Sequence, residues 1–147
     1  MKSFAKLAAL MLIVALNSLP LTANAYTKIG TCSQKEKILV QKHITNQIAA
    51  LKREDWETAY GYAAPAFRKA IPIDLFKEVL KKQYVFLIMN DRVSFGTCAS
   101  DSGSFSQILN LTYRGQIHTL SYILTQTNNR LGVLSANEIK PLRGTNA

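Results

Sequence analysis

The chain has 147 residues, 48% of them hydrophobic, two cysteines, and 18 Lys and Arg against 9 Asp and Glu, a formal net charge of +9. The basic excess is scattered in short pairs (Lys52-Arg53, Arg68-Lys69, Lys81-Lys82) with no concentrated stripe or interleaved exposed aromatics, which excludes specific nucleic-acid binding and leaves a solvated basic surface. No apolar run approaches the roughly 20 residues that a membrane-spanning helix needs.

The N-terminus reads as an export signal. Lys2 and Lys6 precede an uninterrupted apolar run, Leu7 to Leu16, whose helix would rise about 15 Å, half of a bilayer core. Pro20 and the small-residue pattern Ala23-Asn24-Ala25 follow, so residues 1–25 are expected to be removed, leaving 26–147 as one exported domain, periplasmic or secreted, with its core at about 33–140. Cys32 lies too far downstream to be a lipid attachment site. In an oxidising compartment Cys32 and Cys98 are expected to pair, closing a loop that stabilises by about 4 kcal/mol on the chain-entropy model.

Ser33-Gln34-Lys35-Glu36 fits a capping box that starts a helix. Val40, Ile44, Ile48 and Leu51 form its core stripe, with Lys37, Lys42 and Lys52 outside it. His43 sits beside the stripe and reads as a surface histidine, because no second ligand stands three or four residues away. Asp55 caps a second helix with Trp56, Ala59, Tyr60 and Ala63 on one face. Gly61 within it implies a closely packed neighbour. Pro65 ends that element and starts the next, making a corner whose apolar contacts come from Phe67, Ala70 and Ile71. A further helix, capped near Asp74, turns Leu75, Phe76, Val79 and Leu80 inward and Lys77, Lys81 and Lys82 outward.

Beyond Tyr84 the period changes. Segments 92–98, 105–114, 117–127 and 131–140 are rich in β-branched and aromatic residues and are separated by Asp101-Ser102-Gly103, Gly115-Gln116 and Asn128-Asn129. Helices followed by hairpin-linked strands imply an α+β fold with helices covering one face of an antiparallel sheet. His118, Leu120, Tyr122 and Leu124 share the inward face of the third of these strands, and Phe105, Leu109, Leu111 and Tyr113 that of the second. Val93 and Phe95 share a face that excludes Cys98, so the expected disulfide requires a bulge at Gly96.

Tyr60, Tyr113, His118 and Tyr122 are accordingly the candidate ligand-binding residues of a cavity between helices and sheet. No acidic partner for His118 is evident from spacing, and the chain has no HExxH, Walker, GxSxG or CxxC motif, so no catalytic residue, metal or cofactor is assigned. The reading is a non-catalytic binding or interaction domain taking a small apolar or anionic ligand or a protein partner. One alternative is a small hydrolase- or isomerase-type enzyme using His118. The other is an interaction module that forms a homodimer through an outer sheet face carrying Ile108, Ile117 and Ile123.

The string Gln47-Ile48-Ala49-Ala50-Leu51, then Asp55, Ala59-Tyr60, Ala64-Pro65-Ala66, Phe76, Tyr84 and Val93-Ser94-Phe95-Gly96, resembles a bacterial family catalogued as domain of unknown function 4864, over about residues 40–135. The chain departs from that pattern at Arg130-Leu131-Gly132-Val133-Leu134, which lacks the usual Trp. The family is similar to the nuclear transport factor 2-like, cystatin-like cone superfamily, which implies helices packed into a strongly curved sheet around a cone-shaped cavity. It supplies no catalytic residues to carry over. Enzymes of the wider superfamily typically place an Asp or a His-Asp pair in that cavity, where this chain offers His118.

Overall fold

A computed structural model describes residues 29–140; the expected export signal and cleavage point lie outside the described residues. After a two-residue strand, β1 (Gly30–Thr31), come five helices: α1 (Gln34–Lys52), α2 (Trp56–Gly61), α3 (Pro65–Ala70), α4 (Ile73–Gln83) and α5 (Val85–Ile88). Four long strands follow, β2 (Arg92–Asp101), β3 (Ser104–Tyr113), β4 (Gln116–Thr127) and β5 (Arg130–Glu138). The sheet is an antiparallel meander in the order β1-β2-β3-β4-β5, giving an α+β fold.

The capping box forms as read: Glu36 N–H donates to Ser33 Oγ at 3.3 Å and Ser33 N–H to the Glu36 carboxylate at 2.7 Å. Donation from the Ser33 N–H and hydroxyl holds the Glu36 carboxyl below its ordinary range. Val40, Ile44, Ile48 and Leu51 are all buried. They pack on the alternating inward residues of the sheet, including Leu109, Leu111, Leu120, Tyr122 and Leu124. Asp55 accepts from Thr58 N–H and caps α2. The cap expected near Asp74 is not there: Pro72 occupies the N-cap of α4 without a side-chain bond, and Asp74 lies inside the first turn, where it complements the helix dipole.

Gly61 is likewise corrected. It ends α2 instead of interrupting it, and a Cβ there would meet nothing within 4 Å. The close approach occurs at Gly132, where a Cβ would stand 2.5 Å from Ala64 Cα and 2.8 Å from its nitrogen. The corner between α2 and α3 is joined there to β5. Ala64 N–H donates to the Val133 carbonyl at 2.8 Å and Val133 N–H to the Tyr62 carbonyl at 2.9 Å, forming a parallel bridge between Ala63 and Val133 that covers the outer edge of β5.

His43 is more enclosed than its position beside the stripe implied. Its Nε2–H donates to the same Tyr62 carbonyl at 2.8 Å, and its ring meets Tyr62 edge-on at 5.0 Å. Burial pushes its imidazole below the usual value, and the bond to Tyr62 offsets this only in part.

The irregularity that the disulfide required is present. Phe95 pairs with Leu109 and Cys98 with Gln107, so Gly96 and Thr97 together oppose Ile108 in a β-bulge. Cys98 is thereby turned inward and bonded to Cys32. The fully buried Gln107 amide, which the sequence reading passed over, donates across the bulge to the carbonyls of Gly96 at 3.0 Å and Thr97 at 3.3 Å. A second shift, between Ile123 and Leu124, leaves Leu134 of β5 unpaired and exposed.

Two outcomes follow from the corner. Gly132→Ala should destabilise by roughly 2 kcal/mol or more, because the clash is with backbone that cannot rotate aside; denaturant unfolding measures it. For His43 the unfolded state binds its proton near pH 6.5 and the folded state only at lower pH. Stability should therefore be complete above that value and fall as pH drops through it. Relative to the wild type, His43→Gln should show a flatter loss between about pH 7.5 and 5.5, other titrating groups cancelling in the difference.

Candidate functional site

The helices leave a gap on the inner face of the sheet. α4 lays Leu75, Phe76, Val79 and Leu80 along one side of a gap, α1 contributes Gln47 and Leu51, and the corner contributes Ala63, Phe67 and Ile71. The sheet supplies Tyr122 from β4 and Val133, Ser135, Ala136 and Asn137 from β5, and Tyr84 and Leu87 close one end. The resulting cavity has a volume of about 250 Å³. Among the described residues its lining includes no charged side chain.

The polar groups on this wall are few. Tyr122 lies between the buried Leu120 and Leu124 on the inward face of β4 and is only 1% exposed. Burial pushes its phenol far above the ordinary value, so it stays protonated. Gln47 is 4% exposed, and its Nε2 donates to the Ala59 carbonyl at 3.3 Å. Toward the exposed rim, Asn137 Nδ2 donates to Ser135 Oγ at 3.4 Å.

Of the four residues singled out from sequence, Tyr122 lines the cavity, whereas Tyr60, Tyr113 and His118 do not. The Tyr60 hydroxyl is directed between the carbonyls of Arg68, 3.0 Å away, and Ile71, 2.7 Å away, and braces the corner. Tyr113 and His118 sit toward the other end of the sheet, where His118 stacks on Phe86 with ring centroids 4.2 Å apart and Tyr113 lies 6.3 Å off. Facing was read correctly for His118 but depth was not: it precedes Tyr122 by four residues, about 13 Å along a strand.

His118 also has the acidic partner that spacing did not reveal. Its Nδ1 lies 2.8 Å from Glu138 Oε1, the two side chains being 20% and 27% exposed. The pair is 20 residues apart in sequence and is joined by the β4–β5 register, in which Glu138 stands opposite Leu120. The usable signal was the turn at Asn128-Asn129: counting outward from it brings position 138 to within one diagonal of 118. Glu138 lines an open hollow with Gln83 and Lys140 that shares Tyr84 and Asn137 with the cavity.

On the outer face Ile117 is 71% exposed, while Ile108 and Ile123 are partly covered and set among Ser106, Asn110, Thr119 and Ser121. Thr119 Oγ1 donates to Asn110 Oδ1 across the strands at 2.8 Å. Among the described residues no three His, Cys, Asp or Glu side chains come together as metal ligands would, and no helix is long and apolar enough to cross a membrane.

No curated protein matches the chain, and no solved structure does. A family model described as Domain of unknown function (DUF4864) matches residues 33–141, from the capping serine of α1 through the end of β5. The match spans the helices that frame the cavity and the strands that floor it, and on it the chain belongs to the DUF4864 family.

Proposed function

We propose that the protein is an exported, non-catalytic binding domain that takes a small apolar ligand between its helices and its sheet. The observation that carries this is the cavity of about 250 Å³ between helices and sheet, whose lining among the described residues is mostly apolar and carries no charge. An apolar ligand filling it takes hydrocarbon surface out of water, worth roughly 25 cal/mol per Å². The anionic ligand has less to support it, the wall carrying no cation among the described residues. Export accords with the basic, apolar N-terminus and with two cysteines joined in a disulfide and none left free among the described residues. A nuclear transport factor 2-like cone is the fold family we favour, because helices cover one face of a bulged antiparallel sheet with a cavity between them. The outer-face homodimer has less to support it, the three isoleucines there being separated by hydroxyl and amide side chains.

A second reading rests on the contact between His118 and Glu138. A carboxylate on Nδ1 orients the imidazole and leaves Nε2 free for proton transfer, as a small hydrolase or isomerase would require. That Glu138 borders a hollow adjoining the cavity is what favours it.

Thermal unfolding against a library of small uncharged apolar compounds tests the first reading. A true ligand at about ten times its Kd should add about 1.4 kcal/mol, raising Tm by several degrees. A library with no member that shifts Tm would remove the claim. His118→Gln separates the second. We expect it to lower stability by about 1–3 kcal/mol, through loss of the Glu138 contact and the Phe86 stacking, while ligand binding persists. A variant that keeps full stability yet loses a measurable turnover would make His118 catalytic instead.

A further inference from the structure

Resting on the binding role proposed above, we infer that the ligand is an amphiphile with a single negative charge: its apolar body, on the order of ten non-hydrogen atoms, sits in the cavity, and its carboxylate-like head lies in the open hollow beside it. Continuity carries this. The cavity and the hollow meet at Tyr84 and Asn137, which line both, so a molecule long enough to fill the first emerges into the second. The size of the body follows from the volume: an apolar space of about 150 Å³ admits benzene, and this one has about 250 Å³.

The two compartments differ in chemistry. The cavity is lined by Leu51, Phe76, Leu80 and Val133 among others and, among the described residues, by no charged side chain, so a charge carried inward would be stripped of water and left unpaired. The charge therefore stays outside. To the two shared residues the hollow adds Gln83, Glu138 and Lys140. Its acid is already engaged, Glu138 Oε1 lying 2.8 Å from His118 Nδ1, whereas Lys140 belongs to neither ion pair found among the described residues. The sign of the head follows from that difference. A carboxylate meets the Lys140 ammonium and the Gln83 amide donors, while an ammonium head is repelled by the one and unmatched by the other. The net charge of +9 on the whole chain acts in the same direction, since it raises the local concentration of anions over that of cations.

Four alkyl probes test this with the full chain at neutral pH: octanoate, octan-1-ol, octylammonium and the shorter hexanoate. Dissociation constants are measured by NMR titration for the wild type and for Lys140→Gln. Lys140 is exposed, so the variant should melt at the wild-type temperature. We expect octanoate to bind about tenfold tighter than octylammonium, and Lys140→Gln to weaken octanoate about threefold, as loss of an exposed ion pair does, while octan-1-ol is unchanged. Hexanoate, shorter by two methylenes, should bind about tenfold more weakly than octanoate because less of the body is taken out of water. If Lys140→Gln leaves octanoate unchanged or weakens octan-1-ol equally, or if octylammonium binds as tightly as octanoate, the anionic head is overturned. If hexanoate binds as tightly as octanoate, the placing of the body in the cavity is overturned. If octan-1-ol saturates the wild type and octanoate does not, the inference falls while the binding role stands, and if none of the four saturates it, the binding role falls as well.

Discussion

The backbone of Ala64 lies so close to Gly132 that no side chain fits between them, and the rest of the architecture is arranged around that contact. It lets the turn between α2 and α3 exchange backbone hydrogen bonds with Val133, covering the edge strand and fixing where the helical layer begins. The Tyr62 carbonyl serves two partners at once, Val133 N–H from the sheet and His43 Nε2–H from α1, so the longest helix, the corner and β5 meet at one oxygen. Ala63 and Val133, the residues of the bridge, are also neighbours on the cavity wall. The contact that joins the two layers thus also sets one side of the space between them.

A second irregularity shapes the opposite side of the sheet. The bulge at Gly96 and Thr97 disrupts the ladder between β2 and β3, and the buried Gln107 amide answers two of the carbonyls it exposes. The same extra residue reverses the facing of the strand, bringing Cys98 beneath the start of α1 to meet Cys32. Bulges in β2 and β5 add local irregularity to a sheet whose apolar face packs against helices of very different length.

Two polar arrangements coexist on the inner face. On the cavity wall Tyr122 and Gln47 stand among apolar side chains. Toward the end of the sheet His118 and Glu138 form a partly solvated pair stacked on Phe86, an arrangement that either fastens α5 to the sheet or serves proton transfer. They share the rim residues Tyr84 and Asn137 but no wall residue. The two arrangements can therefore be perturbed separately by single substitutions.

Local chemistry was legible in the sequence: the capping box at Ser33, the stripe from Val40 to Leu51, the corner at Pro65 and the alternation that faces Leu120, Tyr122 and Leu124 inward. Each depends on residues a few positions apart, whose spacing alone sets their direction. The fold class and the pairing of Cys32 with Cys98 were also within reach, the latter through the glycine that marks the bulge. Depth along a strand and partners across the sheet were not. Whether His118 reached the cavity, which carboxylate met it, and which glycine sat under a neighbouring backbone depended on the β4–β5 register and on where the corner docked. Those quantities are fixed by contacts between segments tens of residues apart, from Ala64 to Gly132 and from His118 to Glu138, and only the packed tertiary structure brings such segments together.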